Sequence, residues 1–157
     1  MKCKAATGLG AALRAAGIAL ALACSTAGAA LPGAQDVREA VQWIQRTADN
    51  KGKPFAVVDK KQARLYIFDS RGRLAGISVA LLGATPGDHI VPGVGERAQR
   101  GEVRADERTT PAGRFDAIPG RNLSGEHVVW ADYASAFAIH RLRPGRAQAP
   151  RQQRMDT

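Results

Sequence analysis

The chain is 157 residues long, carries a formal net charge of +9 and has only two cysteines, Cys3 and Cys24. The length fits one domain with a hydrophobic core. Cysteines confined to the N-terminal segment exclude a disulfide framework or a thiolate metal site in the rest of the chain.

Residues 1–29 read as a secretory signal peptide. Lys2, Lys4 and Arg14 form a basic region, Ala15 to Ala23 is a short apolar run, and Ala27-Gly28-Ala29 is a small-x-small cleavage signal. The apolar run is too short to span a bilayer comfortably, and no later segment is long enough, so the mature chain is expected to have no transmembrane segment. Export to the periplasm or cell envelope follows, with cleavage after Ala29. Ala21-Leu22-Ala23-Cys24 loosely matches a lipoprotein cleavage box, which makes lipid anchoring at Cys24 the alternative. A basic exported chain is drawn to anionic wall polymers or a membrane surface, unless its charge is only a solvated face. Nucleic acid is not expected as a partner.

Residues 30–53 read as a leading helix and linker. Val37, Ala40, Val41 and Ile44 fall on one helical stripe between Asp36 and Ala48, with Asp36 and Glu39 placed to form a capping box. Asn50-Lys51-Gly52-Lys53-Pro54 ends the helix. The period then becomes extended. Phe55 to Val58, Ala63 to Asp69 and Leu74 to Leu82 are separated by tight polar turns and predict an antiparallel meander. Gly83 to Glu107 reads as a long irregular excursion of the kind that is functional or mobile. Short strands are predicted again at Phe115 to Ile118, His127 to Tyr133 and Ala136 to Leu142. Residues 143–157 are rich in Arg, Gln, Pro and Ala, and predict a basic, disordered tail.

Two segments carry chemical interest. Thr109-Thr110-Pro111-Ala112-Gly113-Arg114-Phe115 combines a proline-fixed φ with a glycine free to adopt positive φ, so the chain can turn sharply there. His140 closes the apolar strand Phe137-Ala138-Ile139, and an imidazole is suited to general-base work near neutral pH. Each segment alone reads more readily as structure. Gly93-Val94-Gly95-Glu96-Arg97-Ala98 fits a dinucleotide-binding pattern, but that pattern needs a buried strand before it and a helix after it. Neither is predicted, so the match is set aside. His127, Asp132 and His140 lack any metal-ligand spacing. No metal or cofactor is expected.

Taken in order, the strands from Val58 through Gly83, the Thr-Pro-Ala-Gly-Arg-Phe turn and the strand ending at His140 resemble the L,D-transpeptidase catalytic domain (YkuD-like) of bacterial cell-wall enzymes. The resemblance covers residues 54–142, the N-terminal two-thirds of such a domain. It implies a mainly β fold, an antiparallel β-sandwich or barrel-like domain preceded here by an amphipathic helix. It also implies a cysteine-dependent acyl transfer on peptidoglycan stem peptides. The family's histidine is followed, after a short loop, by Ser/Thr-His-Gly-Cys. His140 matches that histidine, the general base. The family spacing places the nucleophilic cysteine just past Thr157, so the last strands are expected to be missing and the chain as given to be inactive in transpeptidation. Trp130 and Tyr133, on the strand before His140, are candidate substrate-binding residues, with core packing as their alternative role. The rival reading is a non-catalytic basic cell-wall-binding protein on the same scaffold, with His140 structural and Arg141, Arg143, Arg146, Arg151 and Arg154 as the binding groups.

Overall fold

A computed structural model describes residues 34–142 and residue 153; the leader, the lipoprotein-like box and the basic tail lie outside the described residues. The first helix, α1, spans Gln35–Thr47. Its stripe forms as the periodicity predicts, and Val37 and Val41 are its buried residues. The predicted capping box does not form. Ala34 is the N-cap residue, with no side-chain cap. Asp36 instead accepts a hydrogen bond from Lys61 Nζ at 2.6 Å, and Glu39 accepts one from Gln35 at 2.7 Å. The helix begins before Asp36, so Asp36 lies in its first turn and not at the N-cap. The helix stops at Ala48, a left-handed residue whose N–H returns to the Ile44 carbonyl.

Three strands follow: β1 (Phe55–Asp59), β2 (Arg64–Phe68) and β3 (Leu74–Val79), hydrogen-bonded in the order β1-β2-β3. The register pairs Phe55 with Phe68 and Val57 with Tyr66, which puts all four on one face. α1 covers that face. Val37, Val41, Tyr66 and Phe68 form the core, with Phe55, Val57 and Leu74 packed against it. Tyr66 and Phe68 are no more than 2% exposed. Full burial of side chains of this size stabilises by roughly 1.5–3 kcal/mol each. The Phe55 and Phe68 rings stack with centroids 5.0 Å apart. The two hairpin turns are set by carboxylates. Asp59 Oδ1 accepts the Lys61 and Gln62 N–H groups, and Asp69 Oδ1 accepts those of Arg71 and Arg73.

The segment after β3 is more ordered than its composition implies. A second helix, α2, spans Val94–Arg100, and a 3₁₀ turn spans Ala105–Glu107. Left-handed glycines, Gly93 and Gly101, bracket α2. Gly95 lies against the Ala134 carbonyl, and a Cβ there would come within 1.8 Å of that oxygen. The glycines that read as loop are therefore helix boundaries and a close-packing point. The dinucleotide-like pattern does lie on a helix, contrary to expectation, but no strand leads into it.

The second sheet has the order β4-β5-β6: β4 (Ile118–Arg121), β5 (His127–Asp132) and β6 (Phe137–Ile139). The predicted strand at Phe115 starts only at Ile118. Phe115 instead packs edge-on against Phe137, with centroids 5.3 Å apart. Pro119 is tolerated because β4 is an edge strand. The described chain is thus mainly β, two three-stranded antiparallel sheets with two α-helices. No helix among the described residues is long and apolar enough to cross a membrane.

Candidate functional site

The site is built on a cleft that strands of both sheets line. A cleft of about 1240 Å³ is lined by the outer-face residues Val58 and Leu65, by the chain from Ser78 to Ala84, and by β5 and the segment Ala136 to Leu142. Thr109 and Thr110 line it as well, and so does His140. The two segments singled out by sequence, far apart along the chain, therefore face one cavity.

His140 follows β6 and is exposed. Its Nδ1 lies 3.0 Å from the Arg141 carbonyl oxygen. A carbonyl only accepts, so Nδ1 is the donor in this contact, and in the neutral ring that leaves Nε2 with the lone pair a general base needs. Trp130 is half-buried and lines the same cleft. Its ring lies over Gly120, where a Cβ would come within 2.8 Å of Trp130 Cδ1. Tyr133 meets Trp130 edge-on with centroids 5.0 Å apart, but it is 71% exposed and is not part of the cleft wall. The structure thus brings His140 and Trp130 to one cavity and leaves Tyr133 outside, braced on Trp130. Core packing does not describe Tyr133 at this exposure.

The cleft wall is held by polar ties that sequence reasoning missed. Lys60, on the β1–β2 turn, donates to the Thr110 carbonyl at 2.5 Å and to the Gly87 carbonyl at 2.6 Å, and it forms an ion pair with Asp88. The hydrogen bond from Lys60, followed by its charge, holds the Asp88 carboxyl below the usual range. Gly83 N–H donates to Thr110 Oγ1 at 2.7 Å, and Thr109 Oγ1 donates to the His89 carbonyl at 2.9 Å. Together these close the neck of the excursion beside the cleft.

Deeper in the excursion, the buried Glu107 is held by two arginines. Arg97 lies 2.6 Å and Arg104 3.0 Å from Glu107 Oε1, while Oε2 accepts from Arg97 Nε and from the Arg104 N–H. The Arg97 hydrogen bond lowers the Glu107 pKa most, working against the cost of desolvation. Arg114, in the proline-glycine turn, bridges Asp49 and Asp116, whose carboxylates raise its pKa further. That bridge ties the turn to the end of α1. Gly113, at φ 148°, takes the positive φ expected of it. Arg104–Glu107 and Arg114–Asp116 are local pairs, whereas Lys60–Asp88, Arg97–Glu107 and Arg114–Asp49 join residues that the fold brings together.

His127 also lines the cleft, at the start of β5. Among the described residues, no group of three His, Cys, Asp or Glu side chains is arranged to hold a metal ion. No protein-family model, curated protein or solved structure matches this chain.

Proposed function

We propose that the chain is an exported peptidoglycan L,D-transpeptidase-type protein whose residues 34–142 supply the general base and part of the substrate wall. The observation that carries this reading is the convergence of Thr109, Thr110 and His140 on one cleft. In the sequence these are the two segments of the family resemblance. On this reading the two sheets are parts of one sandwich, with the cleft between them. Trp130 offers a flat apolar surface there, and Tyr133 braces it from outside.

The chemistry is activated-nucleophile acyl transfer. A cysteine thiolate attacks the carbonyl joining the third and fourth residues of a tetrapeptide stem. The terminal residue leaves, and an amine takes the acyl group from sulfur. His140 Nε2 accepts the thiol proton and returns it to the leaving amine. Residues 25–157 contain no cysteine, so they provide the base without the nucleophile and are inactive in transpeptidation by themselves. The site is in the periplasm or cell envelope, since residues 1–29 read as a secretory leader.

A second reading, a non-catalytic basic wall-binding protein, is favoured by the net charge of +9, which stays basic once the leader's Lys2, Lys4 and Arg14 are set aside. Calorimetry with a tetrapeptide stem separates the two. The transpeptidase-type reading expects His140→Ala to weaken stem binding at fixed salt. Binding that ignores His140 and collapses as salt rises supports the wall-polymer reading instead.

A further inference from the structure

We propose that Trp130 and Tyr133 form a platform on which the sugar rings of a neutral glycan strand stack, the glycan of the wall polymer. The two rings meet at 71° with centroids 5.0 Å apart, so one makes a floor and the other a wall. The register keeps the floor low. Trp130 pairs with Ile118 on one side and Ala138 on the other, and Gly120 shares their face. The indole lies against Gly120, where a Cβ would come within 2.8 Å of Cδ1 and 3.0 Å of Nε1. A glycine and an alanine beside the ring leave no tall side chain at those positions to cover it. Tyr133 and Ile118 are exposed.

The polar edges of the two rings point to the same ligand. The Trp130 Nε1–H and the Tyr133 hydroxyl make no hydrogen bond among the described residues. A pyranose offers both complements. Its C–H faces sit on the negative face of an aromatic ring, and its hydroxyls accept from N–H and O–H donors at the ring edges.

Local charge and size exclude other occupants. Residues 117–120 and 128–140, which carry the platform, contain no Lys or Arg, so they offer no counter-charge to an anionic lipid or polymer. Asp132, between the two rings in sequence, is engaged by the Ala134 N–H and the Ser135 hydroxyl. Ile118, Trp130 and Tyr133 are also far fewer than the roughly 20–30 residues a side of a stable protein complex. Trp130 borders the cleft as well, so a stacked strand would run beside a stem held there. The platform requires no chemistry at His140; the choice of the wall glycan among neutral sugars rests on the peptidoglycan reading.

The probe is chitotetraose, a neutral N-acetylated tetrasaccharide without peptide, titrated into the full chain and followed by ¹H–¹⁵N spectra. It should bind with a Kd below about 10 mM. Shifts should centre on the Trp130 indole and the Tyr133 amide, with the Trp43 indole, also exposed, unmoved. Tyr133→Ala should weaken binding at least about threefold, and Tyr133→Phe, which keeps the ring, should lose less. If Tyr133→Ala fails to fold, the positions of the shifts in the unaltered chain decide the matter. No binding at about 10 mM, equal binding by Tyr133→Ala, or shifts centred elsewhere overturns the proposal. So does Tyr133-dependent binding of phosphatidylcholine vesicles in place of the sugar, which assigns the patch to a membrane. The stem reading is tested apart from this, on a peptide without sugar. A chain that binds chitotetraose at Tyr133 but ignores a tetrapeptide stem supports the platform and removes the stem site, and the reverse removes the platform alone.

Discussion

β1–β3 and β4–β6 are both three-stranded antiparallel meanders, yet among the described residues only the first has a helix laid across a face. There α1 buries Tyr66 and Phe68, and the sheet carries a core of its own. In the second sheet Val128 is the buried hydrophobic residue, and Ile118 stays 67% exposed. The proposed chemistry sits entirely on the less covered side, at His140 and Trp130. Burial is thus uneven: the first sheet carries the helix-covered core on one face, while both sheets line the cleft. The excursion between them joins the two through Lys60 and the Gly95–Ala134 contact.

The sharpest way to break this contrast is to empty the first core. Phe68→Ala should cost about 3–5 kcal/mol in urea unfolding, since its ring is fully buried against α1. A cost below about 1 kcal/mol would mean the helix-covered sheet is not the stabilising half. Gly95→Ala tests the link between α2 and the second sheet. Its methyl would collide with the Ala134 carbonyl, and a cost of about 1–3 kcal/mol is expected from overpacking. Unchanged stability would show that α2 does not bear on the β5–β6 turn.

Glu107→Gln should lower the melting temperature and flatten its acid dependence. The native Glu107 pKa lies below its ordinary value, so its stabilising contribution is present above the unfolded pKa and is lost as pH falls through the native one. Equal acid dependence of the two proteins, followed by circular dichroism, would remove Glu107 from the account. The smallest effect belongs to Ile118→Ser, within about 0.5 kcal/mol, because the side chain is already exposed. A larger loss in urea would reveal that the second sheet is covered in solution.

Periodicity made much of the first half legible. Val37 and Val41 lie where the helical stripe places them, and the run of β-formers from Ala63 to Asp69 locates β2, while its buried face comes from the fold. α2 was missed because Gly93, Gly95 and Gly101 were read as loop. A glycine just past Arg97 and Arg100 is also a C-terminal helix signal, and weighing it so would have found the end of α2. Within the site, His140 stood out as a titratable residue closing an apolar strand. Lys60 and Glu107 did not, because their partners are set by tertiary contacts rather than by a local pattern. Asp36, expected as the cap, lies inside the first turn because α1 starts one residue earlier, and it pairs with Lys61 instead.

The most direct test of the proposed site is a ¹H–¹⁵N spectrum of the chain titrated with a tetrapeptide stem. The account predicts shifts at Thr109, Thr110, Trp130 and His140, with α1 and the residues packed on it unmoved. Shifts centred on α1, or none at millimolar peptide, would contradict the placement of the stem site in the cleft.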